Sequence, residues 1–326
     1  MIQNGLQKSK FQKGWQYFGR TWMLYAMLAL PIAFFIVFRY VPMTNIVIAF
    51  KNYSLFRGVW ASPWVATPED AAGVASKMTP YWGWFVKAFT DRNFYMAVKN
   101  TLWLNFLDLI LGFPAPIILA ILLNELPFKK YKKVTQTIVY LPHFLSWIII
   151  SGICNQLFAL GGGVINIALG KIGIPPINFL MDNSLWVGTY VGLGVWKEMG
   201  WGTIIYLAAI TGINPEIYEA AEVDGAGRWQ KIWHVTLPGL LPTIVVLLIM
   251  NLGRILGSEF DRPYTMANPT VMDVADVIST MVYRVGIRSN QFSYTAAIGL
   301  FQSVICVIFL VAANTIAKRS GERGIW

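Results

Sequence analysis

Residues Asn214–Pro242 read NPEIYEAAEVDGAGRWQKIWHVTLPGLLP and lie between two long apolar runs. Asn214 is placed to cap a helix whose first position is Pro215. Glu216 and Glu219 follow in its opening turns, where carboxylates suit the positive end of the helix dipole. Asp224-Gly225 predicts an early stop. Trp229, Ile232, Trp233 and Thr236, at i, i+3, i+4 and i+7, predict a second short amphipathic helix closed by Leu237-Pro238. Ala220 and Ala221 leave one face almost flat, so that another protein's surface could approach closely. A charged helical hairpin held between apolar runs is the loop of a chain that crosses a membrane several times.

Composition agrees. The chain has 326 residues, 56% hydrophobic and 13% charged, with a mean hydropathy of +0.53. A soluble domain carries about 25% charged residues. The formal charge of +10 does not indicate nucleic acid, because the cations are scattered among apolar segments rather than gathered on one face. Cys154 and Cys306 sit inside apolar runs and form neither a disulfide framework nor a metal pattern. The basic lead Lys8, Lys10, Lys13 and Arg20 precedes an apolar run that lacks a small-residue cleavage pattern, which predicts an uncleaved first span.

Six runs are expected to span: about 22–42, 101–124, 134–158, 185–211, 239–257 and 293–317. Pro31, Pro114, Pro116 and Pro142 are expected to kink them. Lysine and arginine set the orientation. The N-terminal tail (1–21), FKKYKK at Phe128–Lys133, the central loop (212–238) and the C-terminal tail (318–326) are the basic segments, and placing them inside leaves both termini cytoplasmic. Segments 159–184 and 258–292 then face outward, as does the first outer loop, 43–100, which is also basic but long enough to be a poor topology vote. Trp82, Trp84, Phe85, Phe89, Phe94 and Tyr95 predict an aromatic helix at the outer interface of that loop. No phosphate-binding loop is present: Gly225–Ile232 lacks the second glycine and the hydroxyl that such a loop needs.

The run EAAEVDGA followed by Leu237-Pro238 resembles the EAA loop of ATP-binding-cassette importer permeases, with Glu219, Ala220, Ala221, Asp224, Gly225 and Ala226 at the family spacing. The stretches YLPHFLSWIIISGI (140–153), VWKEMGWGTIIYLAAI (195–210), DVISTMVYRVGI (276–287) and YTAAIGLFQSVICVIFLVAAN (294–314) are similar to the carbohydrate importers of that family. Within it they look like the complex-oligosaccharide subgroup, including permeases for alginate and other uronic-acid chains. The resemblance implies an all-α integral membrane protein, a type I importer bundle of six helices over residues 22–317, in a bacterial cytoplasmic membrane. It implies a second homologous permease subunit, two cytoplasmic ATPases carrying ATP and magnesium, and an extracytoplasmic solute-binding protein. This chain itself would bind no cofactor.

Charged residues at bilayer depth cost roughly 2.5–3.5 kcal/mol on insertion scales and should face a cavity or a partner. Gly194, Lys197, Glu198 and Trp201 form one stripe of the fourth run. Asn251, Arg254 and Ser258 form another on the fifth. Planar polar groups beside indole faces suit sugars, and two cations suit an acidic one, so both stripes are candidates for the substrate pathway. The competing reading is an ion pair of Lys197 or Arg254 with Glu198, Glu259 or Asp261 that locks helices together. His143 is expected to be packed or hydrogen-bonded, and Asn105 and Asp108 to bond helix to helix. Two other functions remain open from sequence. A membrane-embedded enzyme acting on lipid-linked sugars would need clustered acids or histidines, and Glu259, Asp261, Asp273 and Asp276 have no such spacing. An ion-coupled transporter working alone would want inverted repeats.

Overall fold

Aspartate caps start two of the long helices. In the computed structural model the backbone is described for residues 10–65, 81–257, 259–321 and 324–326, and side chains from residue 21 onward. The helices used below are α1 (Lys10–Phe35), α2 (Gly83–Thr90), α3 (Arg92–Leu107), α4 (Pro114–Asn124), α5 (Lys129–Tyr140), α6 (Trp147–Phe158), α7 (Asn183–Thr211), α8 (Pro215–Val223), α9 (Leu237–Leu252), α10 (Asp261–Met266) and α11 (Phe292–Arg319). Asp91 accepts the Asn93 amide at 2.8 Å and opens α3. Asp182 accepts two amides at the head of α7. No strand occurs among the described residues; one bridge joins Lys51 and Trp64.

Four helical runs are long and apolar enough to cross a membrane: Thr21–Phe50, Arg92–Asn124, Arg228–Leu252 and Phe292–Arg319. A fifth arises if the bent pair Lys129–Phe144 and Trp147–Phe158 counts as one span. The fourth expected run is there as α7, an unbroken helix of 29 residues. Lys197, Glu198 and several glycines in its middle keep its apolarity below that of the others.

Two of the expected runs, and the end of the hairpin between them, differ in shape. Run 134–158 is not one helix: its halves meet at 101°. Leu141-Pro142 starts a short 3-10 turn, Leu145 is extended, and Ser146 caps a new helix through the Ile149 amide. A ring without an N–H and a fresh cap stop the first helix and start the second. Leu237-Pro238 does not close the amphipathic turn either. A π turn, Ile232–Thr236, carries the chain from Arg228 into α9, and the wider i→i+5 register accommodates the proline. At its far end α9 stops at Leu252, with Gly253 packed against Leu310. Arg254 thus follows the helix in a turn, and only Asn251 of its stripe is helical. Ser258 lies outside the described residues.

The core has three parts. At one end Trp84, Phe85 and Phe94 pack with Ile278, Met281, Tyr294 and Ile298. Trp84 and Phe85 are therefore core residues and not an interfacial belt, whereas Trp82, Phe89 and Tyr95 are exposed. In the middle, Trp147, Ile150, Trp186 and Tyr190 enclose Val271, Ala275 and Val277. At the other end, Ile117, Leu123, Tyr206, Ile210 and Leu240 join α4, α7 and α9. The segment expected as an outer loop, 258–292, thus folds inward in its described part: Val271, Ala275, Val277, Ile278 and Met281 are at most 1% exposed. α1 behaves in the opposite way. Every residue from Trp22 to Ile46 is exposed, so its apolar surface faces lipid or another chain.

Candidate functional site

The 214–238 hairpin forms as its sequence dictates. Asn214 accepts the Glu216 amide at 3.1 Å, Pro215 opens α8, and the helix ends at Val223. The Ala226 amide reaches back to the Ala221 carbonyl and the Gly225 amide to that of Glu222. This paired closure needs a left-handed residue, and Gly225 has φ +76°. Tyr218 bonds the Thr236 hydroxyl at 2.9 Å and Lys231 meets Glu222 at 3.2 Å, tying the two arms together. Glu219, Ala220, Asp224 and Gly225 are exposed, and Ala221 and Ala226 are half-buried. Ala221, Asp224, Gly225, Ala226, Gln230, His234 and Val235 line a shallow pocket of about 230 Å³. Around it stand exposed Ile217, Val223, Trp229 and Trp233, with Val223 89% exposed.

The second site is a charged cluster on α7. Lys197 is buried, and its Nζ donates to the His143 carbonyl at 2.9 Å and to Glu198 at 3.1 Å. His143 Nδ1 lies 3.0 Å from the other Glu198 oxygen, and its ring stacks on Trp201 with centroids 4.5 Å apart. Trp147 contributes its ring face to Lys197 and its indole N–H to Glu259 at 2.6 Å. Deeper in, Arg262 donates to both Asp108 oxygens, at 2.7 and 3.2 Å, and to the Tyr190 carbonyl at 2.6 Å. Its guanidinium lies 3.7 Å from the Tyr190 ring centroid, a cation–π distance. Gly194 faces that guanidinium so closely that a methyl group there would collide with it.

The structure therefore joins Gly194, Lys197, Glu198 and Trp201 to one network, with Gly194 serving the arginine. Asn251 and Arg254 are not part of it. Asn251 bonds back to the Leu247 carbonyl. Arg254 is exposed and forms no ion pair or side-chain hydrogen bond among the described residues. Asn105 bonds the Ile255 carbonyl at 2.7 Å. Arg262 is the residue that sequence reasoning missed. The signal available was Asp108 itself, an acid within a span that must find a cation. Among the described residues no three His, Cys, Asp or Glu side chains converge to hold a metal.

A family model described as "binding-protein-dependent transport system inner membrane component" matches residues 83–321. The chain belongs to that family. It is a sugar-type ABC-importer permease, a transport subunit and not an enzyme. It is 41% identical over 303 residues to the polygalacturonan/rhamnogalacturonan transport system permease protein YteP of Bacillus subtilis (strain 168), covering 93% of this chain and 90% of that one. Protein LplB of the same organism is 40% identical, covering 94% and 95%. Among solved structures, the permease resembles a chain of a bacterial ABC transporter involved in the import of the acidic polysaccharide alginate. The TM-score is 0.82 at 39% identity, covering 94% of this chain and 99% of that one. The permease thus has the all-α bundle of type I importers, and it crosses the membrane more than once. A second similar structure holds a bacterial alginate ABC transporter in complex with an alginate pentasaccharide-bound periplasmic protein, with TM-score 0.83 and 38% identity, covering 95% and 99%.

Proposed function

We propose that this permease forms half of the translocation pathway of an ATP-driven importer of acidic oligosaccharides, such as alginate fragments. The observation that carries this reading is that two of its relatives near 40% identity are named for uronate-containing polymers, polygalacturonan/rhamnogalacturonan and alginate. Arg254 supports it from within the chain, being exposed and without an ion pair among the described residues. In this reading Arg254, with Asn251 and Ser258, meets the sugar carboxylate. Trp201, stacked on His143, offers an aromatic face for a sugar ring, and Glu198 offers acceptors for its hydroxyls. Lys197, already balanced by Glu198, is a positioning charge, and Gly194 lets Arg262 fix the helix beneath.

The partners are a second homologous permease, two ATPases that carry ATP and magnesium themselves and dock at the 214–238 hairpin, and an extracytoplasmic solute-binding protein. Residues 22–317 are the membrane domain between cytoplasmic tails 1–21 and 318–326. Alternating access follows when the ATPases move α8 and the binding protein biases the outer side. A cysteine placed at Lys130 is expected to stay unlabelled by an impermeant reagent in intact cells and to react after lysis; labelling from outside would reverse the assigned orientation.

Arg254→Gln in the complete importer tests the substrate assignment. Uptake of a uronate oligosaccharide should weaken by about tenfold or more, the scale of a lost charge-assisted hydrogen bond. Arg254→Lys should restore part of it, because the bidentate contact is missing. The melting temperature should not change in either variant. Unchanged uptake in Arg254→Gln would remove the acidic-sugar assignment.

A further inference from the structure

α5 carries four lysines that no described residue neutralises. Lys129, Lys130 and Lys133 are exposed and Lys132 is half-buried. None of the four forms an ion pair among the described residues. Along the same helix and into the turn beyond it, Phe128, Tyr131, Val134, Ile138 and Leu141 are each more than half exposed. Their spacings of three and four residues form one apolar stripe. The helix begins five residues after α4 ends at Asn124, so its lysines follow directly on the end of an apolar run long enough to span, whose Ile118 and Leu122 are exposed as the stripe is.

The far end of the same element reaches the charged cluster. The backbone at Val139 packs against α7 so closely that a methyl at Gly200 would collide with its carbonyl. His143, four residues on, offers its carbonyl to Lys197 and its ring to Glu198 and Trp201. The break at Leu145-Ser146 frees this element from the direction of α6. One helical segment, Lys129–Phe144, thus has a basic end with an exposed apolar stripe and an end that holds the polar network of α7.

We propose that α5 is an anionic-lipid sensor: Lys129, Lys130, Lys132 and Lys133 bind phospholipid phosphates of the adjoining leaflet while the Tyr131–Leu141 stripe lies in hydrocarbon, and this contact fixes His143 against Lys197 and Glu198. A run of lysines at the end of a span is an electrostatic footprint for acidic headgroups, and an amphipathic helix with aromatic and aliphatic residues on its other face anchors there. The acidic surface of a partner ATPase is the competing occupant. The apolar stripe favours lipid, since a soluble partner would not be needed to cover residues continuous with a span. The inference rests on the importer reading and on the cytoplasmic placement of this end.

The test is substrate-stimulated ATP hydrolysis by the complete importer with its loaded binding protein, in nanodiscs of phosphatidylcholine alone and of phosphatidylcholine mixed with phosphatidylglycerol. The wild type should be stimulated about threefold or more better with the acidic lipid, and high salt should erase the difference. With Lys129, Lys130, Lys132 and Lys133 all changed to Gln, the response to acidic lipid should vanish while the neutral-lipid rate stays at the wild-type level. With all four changed to Arg, the response should persist, which shows that the chain folds with this helix altered. An equal response to acidic lipid in the Gln variant and the wild type overturns the proposal. So does a Gln variant that fails equally in both lipids or loses its ATPase subunits, which assigns the lysines to the protein partner. Absence of stimulated hydrolysis from the wild type in every lipid would instead overturn the importer reading itself.

Discussion

Glu219→Lys is expected to reduce substrate-stimulated ATP hydrolysis by the complete importer to its basal rate, with the melting temperature of the membrane domain unchanged. The reason lies in how the three glutamates of α8 differ. Glu216 receives the Asn214 side-chain amide at 3.1 Å, and Glu222 receives Lys231 at 3.2 Å. Glu219 is exposed and has no hydrogen bond or ion pair among the described residues. Its charge is the one left for a partner surface. Exposed Val223, Trp229 and Trp233 around it supply the apolar part of such a contact. Reversing the charge inverts the complementarity, and no core residue is disturbed. Gly225→Val should uncouple as well, by another route. Nothing lies within 4 Å of a Cβ at that position, so the cost is backbone alone: about 1–2 kcal/mol for the left-handed conformation, and more for a branched side chain. The α8 turn would open and misplace Asp224 and Ala226. Glu222→Gln, which loses only a rim ion pair, should retain most stimulation. Full stimulation in purified Glu219→Lys would take the coupling role away from this hairpin.

How much of this was legible follows the range of the interactions. The limits of α8 could be read residue by residue, because the cap, the proline and the left-handed glycine act within a few positions of one another. The apolar runs were legible for the same reason. The bend at Leu145-Ser146 was half legible: Pro142 marked a kink, but a 101° turn also depends on Ser146 capping a new helix. The inward fold of residues 259–288 was not legible. Its apolar residues are spread over turns of three to six residues, too short to show a spanning period, and its burial is fixed by helices far off in sequence. Thr101, for example, accepts the Ile278 amide from 177 residues away, and Asn100 donates to the Asp273 and Asp276 carbonyls. The same holds for the charged cluster. Lys197 and Glu198 were visible as a costly pair, and their mutual ion pair was one of the readings weighed. That His143 completes the network depends on how α5 meets α7.

The Asp108–Arg262 pair should show the largest effect on stability. Arg262 is 6% exposed, and its charge is met by both Asp108 oxygens, the Tyr190 carbonyl and the Tyr190 ring face. Removing the cation as Arg262→Met leaves the Asp108 carboxylate without its donors inside the bundle. Breaking a buried pair from one side costs about 3–5 kcal/mol, so the variant should melt well below the wild type or fail to assemble. Removing both charges, as Arg262→Met with Asp108→Leu, takes away the uncompensated ion, and replacing a whole buried pair by apolar groups is often close to neutral. The double variant should recover most of the loss. Exchanging the charges, as Asp108→Arg with Arg262→Asp, should not recover it, since the carbonyl and ring face of Tyr190 favour a guanidinium at position 262 and oppose a carboxylate there. Arg262→Lys should fall between, because a lysine keeps the charge but cannot span two carboxylate oxygens and a carbonyl in one plane. Melting curves on the four purified variants give the order directly. A single Arg262→Met variant as stable as the wild type would mean that Asp108 is satisfied by water, and that the inward fold of α10 is held by apolar packing around Val271 and Ala275 alone.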